Sequence, residues 1–296
     1  MLIALLKLLS RVPMRWYHRL GVIVGWSGYW FARIEAKHLR DNLHGSGLCS
    51  SKQEYRALLK QIISQTGQGA AEWFKTWYAP QAEFDRLCAE CHGWEIVEAA
   101  QRRGKGIIFL LPHLGSFPVV VRYTGQRLPL TVLYRVPREG WRKPIMLSGG
   151  KSAGISLAPA DLKGVGKLLQ ALKRAETVAL PPDQAPNAGG GVWADFFGRP
   201  AYTMTLAKKL QRATAATLIA GFAERLPHGK GYRIQYHAVP MESFDEAVLN
   251  RVLEELVRRC PDQYNWSYNR YKTPRTAMKK EKARAHRAVE KQEESH

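Results

Sequence analysis

The chain has 296 residues, enough for one large domain with short appendages, and its content of charged residues (24%) is ordinary for a globular protein. Lys and Arg number 45 against 25 Asp and Glu, a formal net charge of +20 that attracts nucleic acid, anionic lipid surfaces or acidic proteins. The four cysteines do not resemble a secreted disulfide framework, and no nucleic-acid-binding motif accompanies the charge.

The N-terminal segment is apolar but interrupted by basic residues and a proline. Its longest apolar run, residues 20–32, is shorter than the roughly 20 apolar residues that a membrane-spanning helix needs. Tryptophans and flanking cations are typical of a membrane interface. We therefore expect membrane-associated, interfacial helices over residues 1–35, with a buried core helix as the alternative.

The middle of the chain alternates between helical and strand patterns. A helix is predicted over residues 51–78, because Ser51 and Glu54 have the spacing of a capping box; Gly67 and Gly69 are expected to bend or split it. Further helices are predicted at 95–103, 119–123, 141–152, 162–174, 203–212 and 244–258, and strands at 107–111, 131–135, 177–180, 217–223 and 232–238. This alternation indicates an α/β protein with a central, mostly parallel sheet flanked by helices.

The predicted organisation has three parts. The membrane-associated helices occupy residues 1–35, and a single α/β domain occupies residues 36–273. The tail at 274–296 is dense in Lys, Arg and Glu with almost no large apolar residue, so it is predicted to be a solvated helix or disordered.

His113 is the strongest candidate for a functional residue. It follows the apolar strand at 107–111, after Pro112, and Gly115 comes two residues later. Open α/β sheets bind ligands just outside the carboxyl ends of their strands. The sequence therefore predicts a functional site at this loop, although a histidine that only satisfies a loop would look the same.

Several stretches point together to one family. They are the His113 loop, the pair at 134–135, PDQ at 182–184, FFGRPA at 196–201 and QYNWSYNRYK at 263–272. In this order they resemble the bacterial lipid A biosynthesis acyltransferases of the lauroyl/myristoyl type, within the lysophospholipid acyltransferase superfamily. The resemblance runs to about residue 272 and implies a single acyltransferase domain.

The resemblance also implies a reaction. An acyl chain moves from an acyl carrier protein thioester to a hydroxyl of a lipid A precursor, in lipopolysaccharide biosynthesis at the cytoplasmic face of the bacterial inner membrane. The family pattern is a histidine, four residues, then Glu or Asp, in which the histidine takes the hydroxyl proton and the carboxylate orients the ring. No metal or tightly bound cofactor is implied, since the thioester carries the activation.

His113 and Gly115 match the family loop, but Pro118 stands where the acid is expected. No Asp or Glu occurs from residue 107 to 138, so any substitute comes from elsewhere in the fold, and Asp183 is the first candidate. Three readings stay open: an enzyme with reduced activity, an enzyme rescued by a remote acid, and a non-catalytic acyltransferase-like protein that binds lipid or carrier. An acyltransferase for another membrane lipid is a further alternative.

Other residues receive roles from the resemblance. Arg135 is expected to bind a phosphate or the developing charge, since a guanidinium suits that task; a surface arginine is the alternative. Asp183 and Gln184 are expected to position substrate or to cap a turn. Arg199 is expected to meet a headgroup phosphate, and Arg270 to bind substrate or to pack.

The charge has a consistent explanation under this resemblance. Acyl carrier protein is acidic, a lipid A precursor carries phosphates, and the inner-membrane surface is anionic. We therefore expect these three partners and no nucleic acid.

Overall fold

Helices and strands alternate along residues 9–135 and 154–274, the part of the chain that this computed structural model describes. The helices are α1 (Met14–Phe31), α2 (Arg33–His44), α3 (Lys52–Tyr78), α4 (Gln81–Leu87), α5 (Trp94–Arg102), α6 (Phe117–Gly125), α7 (Leu162–Lys173), α8 (Leu206–Thr214) and α9 (Glu246–Arg259). The strands are β1 (Cys88–His92), β2 (Ile107–Leu110), β3 (Leu130–Tyr134), β4 (Ile155–Pro159), β5 (Thr177–Leu180), β6 (Gly191–Phe196), β7 (Arg199–Met204), β8 (Thr217–Arg225) and β9 (Tyr232–Ala238). The predicted helix at 141–152 and nearly all of the charged tail lie outside the described residues.

Seven strands form one sheet in the order β1-β9-β8-β2-β5-β3-β4. All neighbouring pairs are parallel except β8 and β9, which are antiparallel. Strand β2 lies between β8 and β5, and all four of its residues are buried. A strand buried on both faces reads as a continuous apolar run, which is why it was recognisable in the sequence. The predicted mostly parallel sheet flanked by helices is confirmed.

Helices cover both faces of the sheet. On one face the core includes Leu168 of α7, Leu210 of α8 and Leu253 of α9. On the other face it includes Val97 of α5 and Val120 of α6. Each such side chain contributes about 1.5–3 kcal/mol when fully buried. The two layers hold the strand ends rigidly in place, which is what a site built on those ends requires.

Helix α3 matches the predicted range of residues 51–78 to within one residue. Its cap follows the prediction, since the backbone N–H of Glu54 donates to Oγ of Ser51 (3.1 Å). The expectation that Gly67 and Gly69 split the helix is wrong, because α3 continues through both. Gly67 instead lets α1 approach: a Cβ there would lie 2.0 Å from the carbonyl oxygen of Gly21.

The outer side of α1 and α2 carries an apolar stripe. Its exposed members are Trp16, Leu20, Ile23, Trp30, Phe31 and Ile34. None of the helices in the described part of the chain is long and apolar enough to cross a membrane. The predicted division between residues 35 and 36 falls inside α2.

A buried ion cluster joins α1, α3 and β8. The guanidinium of Arg225 donates two hydrogen bonds to Glu72 (2.7 and 2.8 Å), and Nε2 of His18 lies 3.0 Å from the same carboxylate. All three side chains are almost completely shielded from solvent. Burial raises the pKa of Glu72, but the charge of Arg225 and the hydrogen bonds from His18 and Arg225 outweigh it and bring the pKa to about 2.

Strands β6 and β7 form a separate antiparallel hairpin that the sequence analysis did not predict. Its two turn residues, Phe197 and Gly198, both have positive φ, as a tight hairpin turn requires. The hairpin packs against α9 through buried Phe196.

Candidate active site

His113 lies just beyond the carboxyl end of β2. Leu111 and Pro112 carry the chain out of the sheet, and the His113 side chain keeps 31% of its surface exposed. The ring stacks on Phe117, with centroids 5.7 Å apart and planes 11° from parallel. A partly open imidazole at this edge of a parallel sheet is accessible to a ligand.

Asp183 meets His113 from the neighbouring strand. Strand β5 ends at Leu180, and two prolines then lead to Asp183 at the same edge of the sheet. Nδ1 of His113 donates to Oδ1 of Asp183 (2.9 Å), and the backbone N–H of His113 donates to Oδ2 (3.0 Å). The Asp183 side chain is only 4% exposed. The carboxylate therefore fixes both the ring and the loop that carries it.

His113 and Asp183 each favour the charged form of the other. Burial lowers the pKa of His113, but the charge of Asp183 and the hydrogen bond from the ring outweigh it, so the net shift is upward. Burial raises the pKa of Asp183, but the charge of His113 and the hydrogen bonds that the carboxylate accepts leave it below its ordinary value. Asp183 is therefore a stable anion next to an imidazole that it helps to protonate.

Pro118 has a structural place in this arrangement. It lies in the first turn of α6 and is buried. Proline is favoured there because the N–H it lacks would have no partner within the helix. The family acid is thus absent from α6, and a carboxylate reaches His113 from β5 instead.

The His113 loop is held on its other side by a late segment of the chain. The backbone N–H of Gly115 donates to the carbonyl of Gln263 (3.0 Å), and that of Asn265 donates to the carbonyl of His113 (3.0 Å). Gly115 has φ of +62°, and a Cβ there would lie 2.0 Å from the carbonyl oxygen of Ala223. Gly115, which the resemblance assigns to substrate binding, therefore occupies a backbone position that admits only glycine, and its N–H donates to Gln263.

The side chain of Gln263 is hydrogen-bonded to the backbone of β8. Its side-chain amide accepts the backbone N–H of Arg225 (2.8 Å) and donates to the Arg225 carbonyl (2.9 Å). Sequence reasoning included Gln263 in the family stretch at 263–272 but gave it no role. Only the three-dimensional contact with the His113 loop identifies it as a positioning residue.

A cavity of about 450 Å³ opens beside the pair. Its apolar lining includes Leu133, Leu162, Val165, Met204 and Leu206. Gln184, Arg135 and Lys209 also line it. Nε2 of Gln184 lies 3.3 Å from Nε2 of His113, so this side chain joins the cavity to the imidazole. The volume is within the range of small-ligand sites.

Two of the three predicted arginines, Arg135 and Arg199, lie in different surroundings. Arg135 is exposed at the end of β3 on the wall of this cavity. Arg199 stacks over Tyr271, with 3.8 Å from its Cζ to the ring centroid, and reaches the carbonyl of Asp41. Its described contacts are with the α2 end and the C-terminal segment and not with His113.

Of the two roles expected for Arg270, substrate binding and packing, its surroundings are those of a packing residue. It is 2% exposed, and its guanidinium donates to the carbonyl of Tyr202 (2.9 Å), Oγ1 of Thr203 (2.8 Å) and Oδ1 of Asn250 (3.1 Å). The guanidinium also lies 5.3 Å from the ring centroid of Phe196. A substrate cannot reach a cation enclosed in this way.

Among the described residues, no three His, Cys, Asp or Glu side chains cluster as metal ligands. The chemistry that the site offers is that of a histidine base oriented by a buried carboxylate, next to an apolar cavity. Such a pair can exchange a proton with a polar group of a ligand whose apolar part lies in the cavity.

Comparison with known proteins identifies the family. The family model described as bacterial lipid A biosynthesis acyltransferase matches residues 1–273, so the chain belongs to that family. It is 28% identical to the lipid A biosynthesis lauroyltransferase of Escherichia coli (strain K12) over 285 residues, covering 92% of this chain and 90% of the relative. It is 24% identical to the lipid A biosynthesis palmitoleoyltransferase of the same organism, covering 86% and 84%. The resemblance inferred from the sequence is confirmed.

Proposed function

We propose that this protein transfers an acyl chain from an acyl carrier protein thioester to a hydroxyl of a lipid A precursor. The observation that carries the proposal is the hydrogen bond between Nδ1 of His113 and the buried carboxylate of Asp183. It leaves Nε2 of His113 as the unprotonated nitrogen that accepts a proton. Membership of the lipid A acyltransferase family supports the substrate class.

In the proposed reaction, His113 acts as general base. As the hydroxyl oxygen bonds to the acyl carbon, its proton passes to Nε2, and Asp183 stabilises the imidazolium. The C–S bond then breaks, and the leaving thiolate takes the proton back from Nε2. The acyl chain lies in the apolar cavity beside Gln184, with Arg135 and Lys209 on the cavity wall facing anionic parts of the substrates.

Pro118 in place of the family acid is the evidence for the alternative of a non-catalytic protein. Asp183 supplies a carboxylate within hydrogen-bonding distance of the ring, so that argument loses its force. We therefore favour an active enzyme over a lipid- or carrier-binding protein.

The test is acyl transfer from a labelled acyl carrier protein to a lipid A precursor. We compare the protein with its His113→Ala and Pro118→Glu variants. We expect transfer by the protein, loss in His113→Ala, and no gain in Pro118→Glu, since a carboxylate already holds the ring. Transfer that appears only in Pro118→Glu would instead mean that Asp183 does not serve the base. Tight binding of both substrates without transfer by any of the three would favour the binding protein.

We further propose that the apolar stripe of α1 and α2 rests on the anionic cytoplasmic surface of the inner membrane. Arg15 and Arg19 lie over the ring of Trp16, with 6.0 and 4.8 Å from each Cζ to the centroid. Apolar side chains at i, i+3 and i+4 spacing with cations beside them suit a membrane interface.

Sedimentation with anionic and neutral vesicles tests this surface. The double variant Trp30→Ser/Phe31→Ser should lose binding, whereas Val192→Ser/Trp193→Ser, an adjacent exposed pair on β6, should keep it. High salt should weaken binding to anionic vesicles. Equal binding by the two double variants would refute this role of the stripe.

A further inference from the structure

The side chain of Gln184 lies between the imidazole of His113 and the apolar cavity. It follows Asp183 directly, its Nε2 lies 3.3 Å from Nε2 of His113, and its side chain lines the apolar cavity. One side chain thus touches both the nitrogen that would accept a proton and the space that would hold an acyl chain.

The chemistry of the ring determines which end of Gln184 faces it. Nδ1 of His113 donates to Asp183, so Nε2 of the neutral ring carries a lone pair and needs a donor. The amide NH2 of Gln184 is that donor, and it has two N–H groups. One points at Nε2, and the second has no partner among the described residues.

We propose that Gln184 caps the histidine until the substrate hydroxyl displaces it, and that its amide then donates to the carbonyl oxygen under attack. This inference rests on the proposed function. The hydroxyl oxygen bonds to the acyl carbon, its proton goes to Nε2 of His113, and the C=O electron pair moves onto the carbonyl oxygen. The N–H of Gln184 stabilises that oxyanion until the C–S bond breaks and the thiolate takes the proton from Nε2.

A neutral donor is well suited to this place. A lysine or arginine against Nε2 would repel the imidazolium that forms during the reaction, whereas an amide carries no net charge. In the free protein the amide donates to the neutral ring and so favours the form that acts as a base. Displacement costs little, because the hydroxyl replaces one donor with another.

The turn around Gln184 does not depend on its side chain. Asp183 is fixed by its two hydrogen bonds to His113, and the backbone N–H of Ala185 donates to the hydroxyl of Tyr268 (3.0 Å). Gln184→Ala should therefore fold normally, which allows a functional test.

The first measurement is steady-state acyl transfer by the protein, Gln184→Ala and Gln184→Asn. Removing one oxyanion donor costs about 10²–10³ in kcat, and we expect a loss of this size in Gln184→Ala with little change in KM. Asn, which is one methylene shorter, should recover only part of it. Gln170→Ala removes the same amide from the exposed side of α7 and should match the unaltered protein. A kcat within threefold of the unaltered protein in Gln184→Ala would overturn the inference and leave the proposed function intact.

The second measurement does not depend on activity. NMR titration of the His113 imidazole should give a higher pKa in Gln184→Ala than in the unaltered protein, because a donor to the neutral ring has been removed. Gln184→Glu should raise that pKa further, since it places a carboxylate at Nε2. Unchanged titration in both variants would show that Gln184 does not cap the histidine, whatever the protein's substrate proves to be. If the unaltered protein transfers no acyl chain but the titration shifts, the proposed function fails while the cap remains.

Discussion

Asp183 and His113 are joined at two points although 70 positions separate them in the chain. One carboxylate oxygen accepts from the ring and the other accepts from the backbone of the same residue. The ring cannot rotate without breaking the first bond, and the loop cannot shift without breaking the second. This double contact fixes the tautomer of His113 and the orientation of its ring.

Replacing Asp183 with Asn should separate the electrostatic role from the structural one. Asn keeps the size of the side chain but presents no negative charge to the imidazolium and allows the wrong tautomer. In a comparable triad this change costs about 10⁴ in kcat, and we expect a loss of that order. Single-turnover transfer measures the electrostatic role, and a thermal melt measures the structural one. A rate within tenfold of the unaltered protein would show that the carboxylate only supports the loop.

Activity and the stability that His113 gains from its partner should have opposite pH dependences. His113 acts as a base only when neutral, so kcat/KM should rise through its raised pKa, which lies above about 6.5. The stabilisation from His113 is complete below about 6.5 and is lost as pH rises through the raised value. That from Asp183 is present above about 3.9 and is lost as pH falls through its lowered value.

Rate profiles and melting temperatures across this pH range check the prediction. In Asp183→Asn the acid limb of kcat/KM should move to lower pH, because burial of the ring is then unopposed. The melting temperatures of Asp183→Asn and the unaltered protein should differ most at pH values between the lowered pKa of Asp183 and the raised pKa of His113. An unmoved acid limb would assign that limb to another group.

Glu72 should govern unfolding in acid. Its pKa of about 2, against about 4.3 in an unfolded chain, corresponds to about 3 kcal/mol of stability. This contribution is present above about 4.3 and is lost as pH falls toward 2. Glu72→Gln should lose about 3–5 kcal/mol at neutral pH, because it leaves Arg225 buried without its anion.

Urea unfolding at neutral and at acidic pH measures the stability lost in Glu72→Gln and the loss of stability of the unaltered protein in acid. Glu90→Gln is the matched control, since Glu90 also pairs with an arginine, Arg233, but at a half-exposed site. Solvent screens an exposed pair, so this variant should unfold much like the unaltered protein. An acid-induced loss that is equally large in Glu72→Gln would contradict the assignment.

Two glycines of α1 should respond oppositely to alanine. A Cβ on Gly25 would lie 2.1 Å from the carbonyl oxygen of Ile63, whereas nothing lies within 4 Å of a Cβ on Gly28. Gly25→Ala should therefore force α1 away from α3 and destabilise by about 1–3 kcal/mol or more. Gly28→Ala should be neutral or stabilise by up to about 1 kcal/mol through helix propensity. Unfolding free energies from urea titration compare them, and equal effects would mean that the helices do not cross this closely.

The sequence allowed the central part of the site to be predicted because two strands end there. Residues 107–111 and 177–180 are short apolar runs, and adjacent parallel strands bring their following residues to one edge. His113 and Asp183 could therefore be paired before the structure was known. The roles assigned to Arg199 and Arg270 rested on order along the chain alone, which carries no information about which side of the fold an arginine faces.

Long-range contacts explain most of what the sequence did not reveal. Gly67 was expected to bend or split α3, yet it serves the crossing of α1 with α3, where it lies against Gly21, 46 residues earlier in the chain. Gln263 fixes the His113 loop from about 150 residues further on. Neither contact leaves a local pattern, because the residues that make it are distant in sequence.

The hold of residues 263–265 on the His113 loop has a consequence for biosynthesis. The apolar stripe of α1 and α2 is complete once the first 34 residues have left the ribosome. The loop that carries the histidine cannot take its final form until translation has passed residue 265. A nascent chain thus contains the apolar stripe before the His113 loop can be fixed. Premature termination before Gln263 therefore yields a polypeptide that carries the stripe but lacks the contacts that hold His113 in place.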